Sequence, residues 1–368
     1  MRAPVGGLFR HVQDLAREQA RRGHAVGLVC DAATGGAMAR DALAGLEKDC
    51  ALGITRIAMG RFPGISDLGA IARVSRIAER SAAQILHGHG AKGGAYARLA
   101  QLTGAHGPAH RFYTPHGGSL HYSPRSPAGM VFLAVERMLL KRTDGLIFES
   151  AYGRDVYASK VAEPTCPARV VHNGVRPDEF KPAAPFPHAA DVLFVGEMRT
   201  LKGVSILVRA IGKLSAAGER VTAVLVGEGA EQAKLEAEAA RLGLNRQIAF
   251  RPAMPARSAF SLGRLLVLPS LAESMPYVVL EAAAAGMPLI ATNVGGIPEI
   301  FGPLSDALVP PGDADALAEA IRAALADPAA LAKRTRRLRA RVRADFSVSG
   351  MSESILDFYR AVAAVGGI

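Results

Sequence analysis

Leu8, Val12 and Leu15 recur at helical spacing and are closed off by Gly23, so residues 7–22 read as an amphipathic helix with a glycine stop. Behind it the period changes. Short apolar runs stand at 25–30, 54–58, 84–87, 110–114, 145–149 and 169–172, with helical patterns between several of them. Such alternation predicts a parallel sheet covered by helices, since each parallel pair needs a crossover that packs its apolar stripe on the sheet.

Between 176 and 190 stand Pro177, Pro182, Pro185 and Pro187. Proline has no amide hydrogen, so this stretch continues neither a helix nor a central strand and reads as a linker. The strand pattern then restarts at 192–195, 222–226, 247–250, 265–268, 288–291 and 307–309. The fold class is therefore α/β, with one doubly wound domain over 1–180 and a second over 181–346. Val348, Met351, Ile355, Phe358 and Val362 trace a last helix whose apolar face needs a partner. This segment, 347–368, is expected to return to the first domain.

The length of 368 residues suits two domains of about 100–200 residues each. No uncharged apolar stretch of about 18 residues is present, so no spanning helix is expected. Residues 1–7 carry no apolar export segment, which makes the cytoplasm the expected location. Cys30, Cys50 and Cys166 are odd in number and show no CxxC spacing. They suggest neither a disulfide framework nor a zinc site, and are expected as buried, reduced thiols.

The net charge of +11 is uneven: through Lys181 there are 24 Lys and Arg against 15 Asp and Glu, and beyond it 20 against 18. A basic front half suits nucleic acid, an anionic membrane surface or a phosphorylated acceptor. Nucleic acid is disfavoured, because aromatic residues make up only 5% and there is no tryptophan for a stacking platform. The arginine-rich run 333–343 reads as the solvated face of a helix.

The sharpest chemical pattern is ESMPYVVLE, in which Glu273 and Glu281 straddle a predicted strand-to-helix turn. Glu273 falls at the carboxyl end of a strand, where open α/β sheets bind ligands, and Glu281 on the following helix. The helix N-terminus between them favours a phosphate. Upstream, VGEMRTLKG sets Gly196 after a strand and Lys202 at the start of a helix, a glycine for close approach and a point charge for a diphosphate. NVGGIPE, 293–299, adds a glycine pair before another helix.

Taken in order, GGLFRHVQDLA, TPHGG, HNGV, VGEMRTLKG, LVGEGAE, PSLAESMPYVVLEAAAAGMPLIAT and NVGGIPE resemble the family-4 retaining glycosyltransferases of GT-B fold over nearly the whole chain. The resemblance implies two Rossmann-like domains facing across a cleft. It implies a nucleotide-diphosphate sugar donor, a UDP- or GDP-sugar, with no cofactor and no metal. Lys202 would neutralise the donor diphosphate, with Gly196, Gly227 and Arg199 around it. Glu273 and the backbone of Ser274, Met275 and Pro276 would hold the sugar and its phosphate, and Glu281 the ribose hydroxyls. His116 matches the histidine near the reacting carbon, so His116 and Glu273 are the catalytic candidates. Gly6 and Gly7 match the loop beside acceptor and diphosphate. His87 and His89 in HGHG have metal-like spacing without an evident third ligand and are read as cleft-lining.

Two positions depart from the family pattern. Glu197 stands where an arginine usually follows the glycine of the diphosphate loop, leaving Arg199 as its substitute. The family also places a strand before the glycine-rich loop, and residues 1–5 are too few for one. Either the true start lies upstream or the first sheet lacks a central strand. The expected acceptor is carbohydrate or lipid-linked, as in cell-envelope polysaccharide or lipopolysaccharide assembly. The basic front half would then hold the protein peripherally at the inner face of the cytoplasmic membrane. A sugar-nucleotide epimerase or phosphorylase of the same fold is the near alternative. A nicotinamide oxidoreductase is the distant one, since Gly227 and Gly229 lack the third glycine of GxGxxG.

Overall fold

The computed structural model describes residues 1–101 and 109–365. It divides into two units, Met1–Gly174 together with Val348–Ile368, and Val175–Ser347. The border lies after Gly174 rather than after 180. The turn Pro177–Phe180 opens the second unit, its first amide, that of Arg176, donating to the Glu179 carboxylate at 2.7 Å.

The first unit alternates α1 (Gly6–Arg21), β1 (Leu28–Asp31), α2 (Gly36–Ala44), β2 (Ile54–Ile57), α3 (Ser66–Arg80), β3 (Ile85–His89) and α4 (Gly90–Leu99). Then come β4 (His110–Thr114), α5 (Pro127–Leu140), β5 (Gly145–Phe148), α6 (Ala151–Lys160) and β6 (Ala168–Val170). Its sheet comes in two parallel pieces, β1-β2 and β3-β4-β5-β6. β5 is buried along its whole length, as an inner parallel strand should be. Helix α1 buries Phe9, Val12, Leu15 and Ala16, and on the same face the polar His11 and Asp14.

The second unit has β7 (Ala190–Val195), α7 (Val204–Ala216), β8 (Ala223–Val226), α8 (Gln232–Arg241), β9 (Ile248–Arg251), α9 (Ala256–Ala259) and β10 (Gly263–Leu268). It continues with α10 (Tyr277–Ala285), β11 (Leu289–Ala291), α11 (Ile297–Phe301), α12 (Ala314–Ala326) and α13 (Pro328–Asp345). All five strands run parallel in the order β11-β10-β7-β8-β9. The order reverses direction at the β7–β10 junction, and open α/β sheets bind ligands beyond the carboxyl ends of the strands at such a point. The strand expected at 307–309 is absent: residues Gly302–Ala307 form a 3-10 turn, leaving a single bridge between Thr292 and Val309.

Two further readings are corrected. The arginine run on α13 is no purely solvated face. Arg339 donates to the carbonyl of Ala284 at 3.0 Å, and Arg341 to those of Ile300 and Glu299 at 3.0 and 3.1 Å, so both cap the ends of neighbouring helices. Among the thiols, Cys30 and Cys50 are buried but Cys166 only partly so, and all three are free.

The last helix, α14 (Val348–Val365), belongs to the first unit. Met351, Ile355, Phe358 and Val362 pack with Leu15, Phe112, Ile147 and Val171, each side chain worth about 1.5–3 kcal/mol on burial. Among the described residues no helix is long and apolar enough to cross a membrane.

Candidate active site

In the second unit the loops leaving β7, β8 and β10 are pressed together at backbone distance. A Cβ on Gly227, where φ is +144°, would sit 1.9 Å from the Gly196 carbonyl oxygen, and one on Gly203, where φ is +64°, 2.0 Å from that of Pro269. Only glycine fits either place. This contact carries Lys202, just before Gly203, to the end of β10. Its ammonium lies 2.7 Å from Glu273 Oε1, which also accepts from the Ser270 hydroxyl at 2.7 Å. Glu273 is only 8% exposed. Lys202 comes from the loop after β7 and Glu273 from the loop after β10, the two strands that meet where the order reverses.

The loop carrying Glu273 is held from behind. The amide of Gly296 donates to the Ser274 carbonyl at 2.8 Å, and a Cβ on Gly295 would lie 1.9 Å from the Glu273 carbonyl oxygen. Met275 is buried and Pro276 precedes the first turn of α10, which no side chain caps. Glu281 lies half-buried one turn into α10. Cation and carboxylate therefore meet on the loop that leads into the N-terminus of α10, a setting in which an anionic group is favoured electrostatically. The Gly196 carbonyl faces Gly227 among the same loops. Arg199 stands apart: its side chain is 46% exposed and pairs with Glu197 at 3.3 Å.

In the first unit His116 follows β4 with φ of +53°, and Gly117 and Gly118 continue in positive φ at 75° and 26°. A non-glycine residue held there stores backbone strain of about 1–3 kcal/mol, which the surroundings must override. They do so through a buried polar chain. His116 Nδ1 donates to Glu149 Oε1 at 2.7 Å, and its Nε2 lies 3.0 Å from His89 Nδ1. Asn173 Nδ2 donates to the same Glu149 oxygen at 3.2 Å, while Asn173 Oδ1 accepts from His11 Nδ1 at 2.9 Å. These groups come from α1 and from the carboxyl ends of β3, β4, β5 and β6. Gly6 and Gly7 open α1 without a side-chain cap, one turn before His11.

Burial lowers the pKa of His11 to about 4, with the nearby His116 charge adding to the effect. Burial likewise holds His89 well below the usual histidine range. For Glu149 burial acts upward, but the charge and hydrogen bond of His116 outweigh it and the carboxyl lies below its ordinary value. The site thus combines an ionised carboxylate, Glu149, with neutral imidazoles at His11 and His89 near pH 7. His11 Nε2 is buried and has no hydrogen-bond partner among the described residues.

His11, Glu149 and Asn173 are functional candidates that sequence reasoning missed. The signal for His11 was available: with Asp14 it is a polar residue on the buried face of an amphipathic helix. Glu149 and Asn173 lie just past strand ends, with nothing in the sequence to join them to His116. HGHG divides in two. His87 is satisfied by the Tyr359 hydroxyl at 2.6 Å and the Thr114 hydroxyl at 2.8 Å and holds α14 to the sheet. His89 joins His11 and His116, their nitrogens within 4.8 Å of one another, which supplies the third potential ligand that the spacing alone lacked.

Comparison with known proteins adds to this geometry. Residues 5–179 match the family model described as Glycosyltransferase Family 4, and residues 175–344 that described as Glycosyl transferases group 1. The two matches adjoin at the border between the units. Glycogen synthase of Mycobacterium tuberculosis (strain ATCC 25618 / H37Rv) is 31% identical over 234 residues, 62% of this chain and 56% of that protein. The match thus spans little more than half of this relative's length. Among solved structures, sucrose-phosphate synthase from Thermosynechococcus elongatus superposes with a TM-score of 0.80 at 23% identity, covering 99% of this chain and 95% of that one. Anabaena Alr3699/HepE in complex with UDP-glucose gives 0.76 at 20% identity, covering 97% and 96%. At such identities these structures attest the fold, two Rossmann-like domains of GT-B type.

Proposed function

The chain belongs to the family-4 glycosyltransferases, and on that premise we propose that it moves a sugar, with retention of anomeric configuration, from a nucleotide-diphosphate sugar to an acceptor hydroxyl. The observation that carries this reading is the Lys202–Glu273 pair at the β7–β10 switch point, 2.7 Å apart beside the uncapped start of α10. A cation and a helix N-terminus suit a diphosphate, and a carboxylate among them suits sugar hydroxyls. That Alr3699/HepE binds UDP-glucose on the same fold supports a nucleotide-sugar donor.

In this reading Lys202 and the backbone of Ser274 to Pro276 stabilise the charge that grows on the leaving diphosphate. Glu281 accepts from the ribose hydroxyls, and Glu273 orients the transferred sugar. The acceptor oxygen attacks the anomeric carbon from the side that the diphosphate leaves, and the departing phosphate takes its proton. No side-chain nucleophile is required. His116 is the catalytic group of the first unit, steadied by Glu149, and Gly6 and Gly7 border the acceptor. Arg199 is the reserve cation of the diphosphate loop, able to leave Glu197 because both are largely in solvent.

The acceptor is proposed to be carbohydrate or lipid-linked, in cell-envelope polysaccharide or lipopolysaccharide assembly. The outer face of α5 supports a membrane-side acceptor: Met130, Val131 and Met138 are all more than half exposed, and the helix is followed by Lys141 and Arg142. An apolar face flanked by cations suits an anionic lipid surface.

The test is a kinetic comparison. Glu281→Ala should raise KM for the donor with little change in kcat, whereas Glu273→Ala and His116→Ala should lower kcat. Wild-type kinetics in all three variants would remove the site.

A further inference from the structure

A histidine buried in a core has two ring nitrogens to satisfy. His87 satisfies both, with the Tyr359 hydroxyl at 2.6 Å and the Thr114 hydroxyl at 2.8 Å. His11 does not, since its Nε2 is buried and has no hydrogen-bond partner among the described residues. Its other nitrogen shows what that Nε2 carries. A carboxylate only accepts, so Asn173 turns its Nδ2 donor to Glu149 at 3.2 Å and its Oδ1 to His11 Nδ1 at 2.9 Å. The proton of the neutral ring therefore sits on Nδ1, and Nε2 presents a bare lone pair.

His116 is held in the same manner. Its Nδ1 lies 2.7 Å from Glu149 Oε1, which leaves Nε2 turned to His89 Nδ1 at 3.0 Å. In both rings one nitrogen is fixed by an outer partner and the other is left for the cluster, which is how metal-ligating histidines are oriented. His89 is steadied by the ring of His87, their centroids 3.9 Å apart.

The three rings gather around one point. Centroids are 4.9 Å apart for His11 and His116, 5.2 Å for His89 and His116, and 5.4 Å for His11 and His89. One nitrogen of each lies within 4.8 Å of the other two. An ion at about 2.0–2.1 Å from each nitrogen, in tetrahedral geometry, needs those nitrogens about 3.3–3.4 Å apart. The contact between His89 and His116 is a few tenths of an ångström short of this, and the widest pair has at most about 1.5 Å to close. Glu149 and, one turn along α1 from His11, Asp14 are buried carboxylates that supply negative charge near a bound cation.

We propose that His11, His89 and His116 form a binding site for one divalent ion of the zinc class, through His11 Nε2, His89 Nδ1 and His116 Nε2, with a fourth position open to water. Imidazole nitrogens suit zinc, cobalt and nickel, whereas magnesium and calcium take oxygen ligands and are rejected. The ion is assigned no step in sugar transfer.

The test uses the untagged full chain, freed of metal by a chelator. Titration calorimetry with zinc chloride is expected to show one equivalent bound, a higher Tm in its presence, and no displacement by magnesium chloride. Cobalt(II) chloride should give the intense visible bands of a four-coordinate ion. His11→Asn and His89→Asn should each abolish the stoichiometric binding, and Glu149→Gln, which keeps all three ligands, should weaken it by about 10- to 100-fold. The cobalt spectrum is read on the wild-type chain, so it decides the matter even where a histidine variant fails to fold. No binding, the pale spectrum of six-coordinate cobalt, displacement by magnesium, or binding that persists unchanged in both histidine variants would overturn the proposal.

Discussion

Lys202→Met keeps the reach of the side chain and removes its charge. The ammonium lies 2.7 Å from Glu273 Oε1, and the carboxylate is 8% exposed, with the Ser270 hydroxyl as its other partner at 2.7 Å. Losing the cation leaves a buried carboxylate half satisfied, at a cost of about 1–3 kcal/mol. For a unit of this size that is a fall in Tm of roughly 2–12 °C. The same ammonium is assigned to the diphosphate, where a charge-assisted hydrogen bond contributes about 1.5–3 kcal/mol, or roughly 10- to 150-fold in affinity. The two effects separate in the double variant. Adding Glu273→Gln removes the stranded charge and should restore most of the stability, while leaving binding of UDP or GDP weak. Thermal unfolding and titration calorimetry on the full chain measure both. A single variant that binds nucleoside diphosphate like the wild type, or a double variant that regains binding along with stability, would refute the assignment of Lys202.

Gly295→Ala would set a methyl group 1.9 Å from the Glu273 carbonyl at a φ of +60°, and should lower Tm and weaken donor binding together; unchanged values of both would show that the loop yields freely. Acid should destabilise the first unit well above the carboxylate range. His11 titrates near 4 when folded and near 6.5 when unfolded, so the unfolded chain binds more protons between those values and stability falls with pH there. From pH 7 to 4 this amounts to roughly 3 kcal/mol, read by chemical denaturation across the range, and His11→Asn should flatten the curve. Liposomes containing anionic lipid should co-sediment with the protein at low salt and release it as salt rises, and Met130→Asp with Val131→Asp should abolish binding. No binding at low salt would dismiss the membrane-side acceptor.

The placement of the second unit's candidate residues was the more legible from sequence. Its motifs sit at strand ends, and a strand end fixes where a loop residue emerges, so Lys202 and Glu273 could be set near one another without coordinates. The steric reason they touch, Gly203 against the Pro269 carbonyl, is a contact across 66 positions that no local pattern reports. The first unit was harder because its site is assembled from α1 and four strand ends. His11 looked like one more position of an amphipathic helix, and Glu149 like the end of a strand. Only the sheet order brings them beside His116. The strand expected at 307–309 failed for a local reason: Gly302 and Pro303 favour a turn, and three apolar residues are too few to outweigh it. The arginines of α13 misled in another way. A charged residue on a helix reads as solvated, yet Arg339 and Arg341 spend their donors on the carbonyl ends of other helices.

The most direct measurement is to incubate the full chain with a panel of UDP- and GDP-sugars and candidate hydroxyl acceptors. Release of nucleoside diphosphate would be followed, and the anomeric configuration of the product read by NMR. Donor use by Lys202, Glu273 and Glu281 predicts acceptor-dependent release with one donor, a glycoside of unchanged configuration, and a much higher donor requirement in Glu281→Ala. An inverted product, or release to the same extent and with the same donor dependence when Glu281 is replaced, would contradict it.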